Sequence, residues 1–328
     1  MVTQKTLAHF YHQFTILLDS GIDIIRALDS LKTTVRNNQL RETILKIQTR
    51  IQRGASLTEA MSYHPEIFSQ FHLRMVEVGE RSGNLAWSLS AIGENIDRNA
   101  RLQTRLITGF IYPVILIHAA IFIPAVPVLF LEGFIPFLKG VLTIIIPFYG
   151  VIFLVWLLIR VFNRIYPVKR IFHYFFSYIP LSGGLMRRLA IMRFVRNLNA
   201  LYSAGENVIQ ATKTAAVSCG NIPLKEAILK ILPEIERGES ITNALKKVRF
   251  LPHIVKEMLA SGEESGRIDA MLTKVGDYCE AEYETLAKRL IILLPLLVYF
   301  LVMFYIAYII ISFYAGYFTQ IENLFGGF

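Results

Sequence analysis

Three long stretches of this sequence contain no charged residue, and they constrain the fold more than any other feature. They run over residues 106–131, 140–159 and 290–321. A helix needs about 20 consecutive apolar residues to cross a bilayer core, and each stretch is long enough. The sequence therefore predicts three transmembrane helices, over 107–131, 141–160 and 290–317.

The charged residues are concentrated in two blocks outside these stretches. The chain has 328 residues, with 34 Lys+Arg and 25 Asp+Glu. Residues 1–106 hold 13 basic and 10 acidic side chains, and residues 164–289 hold 19 and 13. Charged side chains are costly in hydrocarbon, so we expect both blocks to lie in water. This composition excludes a disordered chain, a disulfide scaffold and an enzyme made only of water-facing domains.

The basic residues beside the apolar stretches predict the topology, because positive flanks mark the cytoplasmic side of a membrane. These flanking residues are Arg98, Arg101, Arg105, Arg160, Arg164, Lys169, Arg170, Lys288 and Arg289. We therefore expect blocks 1–106 and 164–289 in the cytosol, with the loop 132–140 and the tail 318–328 outside. The N-terminus is expected to be cytoplasmic and the C-terminus extracytoplasmic. No apolar segment opens the chain, so we expect no cleavable signal peptide.

Each apolar stretch contains proline, at 113, 124 and 127 in the first, 147 in the second and 295 in the third. Neighbouring helices can satisfy the carbonyl that proline leaves without a partner. The sequence therefore predicts kinks within the membrane helices, with Pro113 and Pro295 as the main candidates.

The two charged blocks are copies of one pattern. Residues 10–27 (FYHQFTILLDSGIDIIRA) match residues 194–211 (FVRNLNALYSAGENVIQA) at an offset of 184, and GASLTEAM at Gly54 meets GESITNAL at Gly238. After the loss of one residue, VGERSGNL at Val78 meets SGEESGRI at Ser261. Several anchors at one offset indicate a duplicated unit, a helical domain followed by membrane helix.

Each copy has the period of amphipathic helices. Phe10, Phe14 and Leu17 recur at helical spacing, and Gly21 and Gly205 stand where a helix end requires a left-handed residue. Ser56 and Glu59 form a predicted capping box, which is weaker in the second copy, where Ser240 is followed by Asn243. The predicted fold class is an all-α membrane protein with two repeated cytosolic bundles of antiparallel helices.

The most distinctive motif is GExSG, formed by Gly79, Glu80, Ser82 and Gly83 and again by Gly262, Glu263, Ser265 and Gly266. Two glycines around Glu and Ser predict a tight connection between helices, with the serine capping the helix that follows. Two interpretations remain open. The motif is a turn that sets the angle of a long helix leading to the membrane, or its glutamates contact a partner. The structural interpretation is favoured, because glycine is most often required where the backbone adopts a conformation that other residues disfavour.

The sequence predicts no catalytic, cofactor or metal site. It contains no GxxxxGK[ST] phosphate loop, no HExxH and no GxSxG. His9 and His12 lack a third ligand nearby, and the lone His118 in the first span is better explained by helix packing. Cys219 and Cys279 are expected to be small buried residues with reduced thiols. The chain is therefore expected not to be an enzyme.

Two basic runs could in principle meet nucleic acid, Arg187-Arg188 and Lys246-Lys247 with Arg249. Basic residues near an inner leaflet more often meet anionic lipid or an acidic partner. We therefore expect membrane lipid as a partner and no direct contact with nucleic acid.

Four motifs in register carry a resemblance to a known family. They are FxxQxxxLLxSG from Phe10 to Gly21 with Gln13, GxSLxEAM from Gly54, VGExSGxL from Val78, and Tyr112-Pro113. Together they resemble the type II secretion F / type IV pilus inner-membrane platform family, over nearly the whole chain. The second copy departs from the pattern at Asn197, Ala204 and Ile241.

The resemblance implies two cytosolic six-helix bundles, three membrane helices and a small homo-oligomer in the bacterial inner or plasma membrane. It implies a hexameric cytosolic assembly ATPase, pilin or pseudopilin subunits and other inner-membrane assembly proteins as partners. The platform would pass the motion of the ATPase to subunits leaving the bilayer. The short segment before the first motif is similar to the platform of Gram-positive competence pseudopili, which serve DNA uptake.

Two other classes of function remain open. A transporter with repeat architecture also duplicates a unit across the membrane, although transporter repeats lie in the membrane helices, whereas this repeat lies in the charged blocks. The apolar stretches carry no Asp, Glu, Lys or Arg, which argues against ion coupling. A membrane-anchored signalling scaffold would share the bundles.

Overall fold

The structure is a computed structural model that describes residues 2–131, 133–162 and 182–325. Within these ranges it contains helices and turns but no β-strand, so the all-α prediction is confirmed. The helices of the described residues are α1 Gln4–Asp19, α2 Ile24–Thr34, α3 Asn38–Gln52, α4 Leu57–Ser62, α5 Gln70–Ser82, α6 Leu85–Gly109, α7 Ile111–Leu131, α8 Phe134–Phe162, α9 Ser182–Ser203, α10 Val208–Ser218, α11 Ile222–Leu229, α12 Leu232–Glu236, α13 Ile241–Lys246, α14 His253–Glu264 and α15 Ile268–Phe325.

Some sequence predictions concern residues outside the described ranges. They are the loop residue Glu132, the basic flank formed by Arg164, Lys169 and Arg170, the start of the second predicted bundle, and tail residues 326–328.

The helices of the first charged block recur in the second at the offset of the sequence repeat. Helices α2 and α4 have the same lengths as α10 and α13, and each pair is separated by that offset. Helix α3 is the exception, because its counterpart is divided into α11 and α12. Pro233 explains the division, since it has no N–H to donate to the carbonyl of Leu229.

The described residues form two compact units, and the first comprises 2–104 and 182–286, so both charged blocks contribute to it. Each block has its own apolar core. Phe10, Tyr11 and Phe14 on α1 are at most 2% exposed. Their counterparts in the second copy, Phe194, Val195 and Leu198 on α9, are at most 1% exposed. The 3.6-residue period of the sequence therefore selects the buried face in both copies.

The first helix of each block ends at a left-handed glycine. Gly21 has φ 78°, its N–H donates to the Leu18 carbonyl at 2.9 Å, and the N–H of Ile22 donates to the Leu17 carbonyl at 3.1 Å. Gly205 has φ 86° and ends α9 with the same pair of hydrogen bonds. The sequence predicts this conformation for both glycines, and glycine adopts it without a Cβ penalty.

The second unit comprises 105–162 and 287–325. Two helical segments of the described chain, Leu85–Leu131 and Phe134–Leu158, are apolar and long enough to cross a membrane, and Met303–Gly316 forms a shorter apolar helical segment. Large apolar side chains point outward here: Ile123 on α7 is 67% exposed and Phe153 on α8 is 61% exposed. Such surfaces require an apolar environment.

The structure places Pro113 in the first turn of α7, inside the apolar segment Leu85–Leu131. Helix α6 ends at Gly109, the residue whose carbonyl Pro113 cannot bind, so the proline marks a boundary between helices. The predicted prolines 124, 127, 147 and 295 do lie inside helices. His118 packs at the α7–α8 seam, with its Nε2 2.6 Å from the Tyr149 hydroxyl.

Candidate functional site

Glu80 of the GExSG motif binds the N-terminus of α4. Its Oε1 accepts from the Leu57 backbone N–H at 2.6 Å. Its Oε2 accepts from the Thr58 N–H at 3.1 Å and from the Thr58 hydroxyl at 2.6 Å. The first N–H groups of a helix have no partner within the helix, and the helix dipole favours a negative charge there. The carboxylate therefore attaches the end of α5 to the start of α4.

Glu263 makes the equivalent contact in the second repeat. It accepts from the Ser240 hydroxyl at 2.6 Å, from the Thr242 N–H at 3.4 Å and from the Thr242 hydroxyl at the start of α13. Both motif glutamates thus bind within their own repeat. These contacts favour the structural interpretation of the motif over a free partner contact.

Ser56 and Ser240 are the N-cap residues of α4 and α13. Ser56 accepts from the Glu59 N–H at 3.0 Å, and Ser240 accepts from the Asn243 N–H at 3.2 Å. In the predicted capping box of the first repeat, the Ser56 side chain accepts from the Glu59 N–H. The described contacts include no return hydrogen bond from the Ser56 N–H to the Glu59 side chain. The carboxylate that accepts from the first N–H groups of α4 is that of the distant Glu80.

The two glycines of each motif have different roles, which corrects the prediction that both bracket a turn. Gly79 lies inside α5, where a Cβ atom would be 2.6 Å from the Ser88 Oγ of α6. Gly262 lies inside α14, where a Cβ atom would be 2.6 Å from the Met271 Cβ of α15. The first glycine therefore permits close helix contact. Only the second glycine forms the turn, with φ 71° at Gly83 and 66° at Gly266.

The prediction that Ser82 and Ser265 cap the following helices is wrong. The Ser82 hydroxyl donates backward to the Gly79 carbonyl at 3.5 Å, and the Ser265 hydroxyl donates to the Ser261 carbonyl at 2.7 Å. Ser82 is the last residue of α5 and Ser265 follows α14 directly, so the nearest acceptors belong to the preceding helix.

The remaining repeat anchors also turn the chain between helices or connect one helix to another. Gly54 and Gly238 have φ 94° and 93° and turn the chain towards α4 and α13. The Gln13 Oε1 accepts from the Thr34 hydroxyl at 3.3 Å, which joins α1 to α2.

Both repeats share a contact that was not predicted from the sequence. In the first repeat the His12 Nε2 lies 2.7 Å from the Asp97 Oδ2. In the second repeat the Arg196 Nη2 donates to the Glu280 Oε2 at 2.8 Å. The internal repeat could have revealed this pairing, because His12 aligns with Arg196 before the lost residue and Asp97 aligns with Glu280 after it.

A glycine lies beneath the basic side chain of each pair. A Cβ atom on Gly93 would lie 2.9 Å from the His12 ring, and one on Gly276 would lie 2.9 Å from the Arg196 guanidinium. Gly93 on α6 and Gly276 on α15 therefore leave room for the basic side chain to pack against the helix in each repeat.

Glu206, in the turn between α9 and α10, joins the second repeat to the first. Its side chain is 2% exposed, and its Oε2 lies 2.5 Å from the Arg74 Nε and 3.3 Å from the Arg81 Nη2. Both arginines lie on α5. A buried carboxylate is tolerated only when it is paired, so this junction depends on the complementary charges of the two repeats.

A second ionic link joins the repeats at Glu280. Its Oε2 accepts from the Arg98 Nη1 of the first repeat at 2.8 Å as well as from Arg196. Burial raises the pKa of Glu280, but the hydrogen bonds from the two arginines outweigh it and hold the pKa below its ordinary value.

Other candidate residues have structural surroundings. Cys219 and Cys279 are free and at most 4% exposed, and burial raises the pKa of the Cys279 thiol to about 12. In the predicted basic runs, Lys247 pairs with Glu234 and Glu239, and Arg188 pairs with Glu282. The described residues contain no group of three His, Cys, Asp or Glu side chains suited to a metal ion.

Comparison with known proteins agrees with the repeated architecture. The family model described as "Type II secretion system (T2SS), protein F" matches residues 10–132 and again residues 194–316. The starts of the two matches, at residues 10 and 194, are separated by the offset of the internal repeat.

Three relatives cover most of the chain. It is 26% identical over 320 residues to the type IV pilus assembly protein PilC of Myxococcus xanthus, covering 92% of this chain and 77% of the relative. It is 28% identical over 306 residues to the type IV pilus assembly protein TapC of Aeromonas hydrophila (87% and 74%). It is 26% identical over 299 residues to the type II secretion system protein F of Aeromonas hydrophila (85% and 77%).

Proposed function

The chain belongs to the type II secretion system protein F family, and we propose that it couples a cytosolic assembly ATPase to pilin or pseudopilin polymerisation. In this role it is a non-enzymatic platform of the bacterial inner or plasma membrane. It binds a hexameric ATPase on the cytosolic side, and pilin subunits and other assembly proteins within the bilayer. The names of its relatives, which assemble type IV pili or belong to type II secretion systems, support a platform role.

The observation that carries this proposal is the ionic junction between the repeats. Glu206 and Glu280 each bind arginines from the first repeat, at 2.5 and 2.8 Å. Bundles joined by ion pairs that include a buried carboxylate resist separation, because that charge would be left without a partner. A displacement imposed on one repeat is therefore passed to the other, which is what a platform driven by an external ATPase requires.

The proposed topology has three spans with both charged blocks in the cytosol. The third span is placed at 290–317, within α15. Two observations support it: Lys288 and Arg289 precede the apolar stretch, and the second family match extends through residue 316, just as the first extends over the first span.

We also propose a small homo-oligomer that uses α14. In the first repeat Phe71 is 3% exposed and Arg74 and Arg81 bind the second repeat. The equivalent positions on α14 hold Ile254, which is 45% exposed, and the exposed Glu257 and Glu264. The face of α5 that contacts the second repeat therefore has an equivalent face on α14 that is exposed.

A second copy of this chain has a matching surface at the turn between α1 and α2. This turn is the counterpart of the Glu206 turn, and Arg26 follows it in the first turn of α2, 85% exposed and 3.3 Å from the Asp23 carboxylate. In a head-to-tail contact Arg26 would exchange its exposed pairing with Asp23 for the acidic face of α14, which would resemble the internal junction. Glu257→Lys is expected to lower the oligomer mass measured by light scattering in detergent.

The function is tested by co-purification of the full chain with its assembly ATPase and pilin. Arg74→Gln should reduce recovery of pilin more than Lys213→Gln, which alters an exposed lysine on α10. ATP hydrolysis by the isolated chain would contradict the proposal. The role in competence stays a prediction, tested by DNA uptake in a strain that lacks the gene.

A further inference from the structure

A polar cavity of about 290 Å³ lies where the two repeats meet. Helices α1, α5 and α6 of the first repeat line one side, and α9 and α10 of the second line the other. Most lining side chains are polar but uncharged, including Ser69, Asn95, Asn99, Asn197 and Ser218. A cavity of this size is large enough for a small molecule or several waters.

Arg193 is the one charged side chain among the described residues that line this cavity, because burial lowers the pKa of His72 to about 4 and keeps that ring neutral near pH 7. The Arg193 Nε donates to the Asn99 Oδ1 at 3.0 Å. Among the described residues, no carboxylate lies within ion-pair distance of its guanidinium. Burial lowers the pKa of Arg193, yet a guanidinium in a protein stays protonated. The cavity wall thus holds a positive charge without a counter-charge.

The amides beside Arg193 form a chain that ends in a free donor. The Asn99 Nδ2 donates to the Asn95 Oδ1 at 3.1 Å, and the Asn95 Nδ2 donates to the Asn197 Oδ1 at 3.1 Å. The amide oxygens of all three asparagines are therefore used. The Nδ2 of Asn197 has no acceptor among the described residues.

Ser218 adds a further unused group. Its hydroxyl oxygen is buried and has no hydrogen-bond partner in the described structure. Buried polar groups are nearly always satisfied by protein, water or ligand. The two amino groups of Arg193, the amide of Asn197 and this hydroxyl make the cavity rich in donors, and they accompany one positive charge.

We propose that this cavity binds a small phosphate-bearing molecule. A phosphate offers several strong acceptor oxygens and a negative charge, which match the surplus donors and the fork of the guanidinium. The cavity exceeds the volume of a phosphate group, and the remaining uncharged polar residues suit a small organic portion. The first repeat lacks the charged group of this site, because the counterpart of Arg193 there is the exposed His9.

The ligand would contact both repeats, so its binding would stabilise their junction. This inference does not depend on the coupling role proposed above, and either can fail without the other. A phosphorylated metabolite bound in this cavity would thereby regulate the protein, although its sequence contains no phosphate loop.

The test measures thermal unfolding of the full chain in detergent with inorganic phosphate, adenosine monophosphate, adenosine, or potassium chloride of equal ionic strength. Phosphate and the monophosphate are expected to raise the Tm by about 2–4 °C at roughly tenfold excess over Kd, while adenosine and chloride are not. A larger rise with the monophosphate than with phosphate would identify an organic phosphate as the ligand.

Arg193→Gln should abolish the rise, and Lys213→Gln, which removes an exposed charge on α10, should retain it. Ser218→Ala should weaken phosphate binding severalfold and provides the test if the arginine variant does not fold. The proposal is overturned if phosphate and the monophosphate act no differently from chloride, or if the rise persists in Arg193→Gln.

Discussion

Arg74 and Glu206 form an ion pair across the junction of the two repeats, with the Nε and Oε2 atoms 2.5 Å apart. The two side chains are unequally buried, since Glu206 is 2% exposed and Arg74 is 22% exposed. Removing the partner of a charged group lowers the free energy of unfolding more when that group is buried than when water can solvate it. The two halves of the pair are therefore not equivalent.

Arg74→Gln is expected to destabilise the protein more than Glu206→Gln. The first change leaves the buried carboxylate with Arg81 as its one counter-charge among the described residues and costs about 3 kcal/mol, whereas the second removes the negative charge and costs about 1 kcal/mol. Urea unfolding in detergent measures both. Arg26→Gln, which alters an exposed pair with Asp23, should have no measurable effect. Equal costs for the two junction variants would contradict this account.

Glu80→Ala is expected to lower the free energy of unfolding by about 1–2 kcal/mol, because the Leu57 and Thr58 N–H groups lose their acceptor. Glu263→Ala should have a similar effect in the second repeat. Glu59→Ala, in the first turn of the same helix α4, is the control and should cost less. If Glu80→Ala left stability unchanged but abolished pilus assembly, the motif would be a partner contact instead.

Gly79→Ala is expected to destabilise the protein by about 1–3 kcal/mol. A Cβ atom there would lie 2.6 Å from the Ser88 Oγ and 3.1 Å from the Leu85 Cα, so α5 and α6 must separate. Gly184→Ala is the matched control, since its nearest contact would be 4.0 Å away and alanine favours the helix. Thermal unfolding that shifts equally in both variants would rule out close helix contact as the role of Gly79.

Stability should fall as the pH is lowered from about 6.5 to about 4, because of His72. Burial lowers the pKa of this ring to about 4, whereas the unfolded value is about 6.5. In this interval the unfolded chain binds a proton that the folded protein does not, so acid favours unfolding by up to about 3 kcal/mol.

The matched variant for this prediction is His72→Gln. The His72 Nδ1 accepts from the Ser69 N–H at 3.4 Å in a capping box, and glutamine can serve the same position without titrating. The fall in stability should be reduced in His72→Gln and unchanged in His9→Gln, whose ring is exposed. An identical pH profile in the wild type and His72→Gln would show that another group is responsible.

Short sequence patterns and packed helices carry two different kinds of information. The duplication, the helix that ends at Gly21 and the N-cap at Ser56 could all be predicted from short patterns. The direction of the Ser82 hydroxyl, the placement of Gly79 inside a helix and the target of Glu80 could not. A motif indicates which residues are close in the chain, but not which surface a side chain meets after the helices pack.

The amino-acid sequence alone specifies the local structure and the environment of each segment. Apolar period, left-handed glycines and uncharged stretches act through neighbours within a few residues, so their consequences can be predicted without the fold. The joining of the two repeats into one unit through Glu206 and Glu280 is decided by tertiary packing. Arg98 and Glu280 are 182 residues apart in the chain. No local sequence pattern predicts their contact, because it depends on how the helices of the two repeats pack against each other. That packing also decides which charged groups are buried away from water.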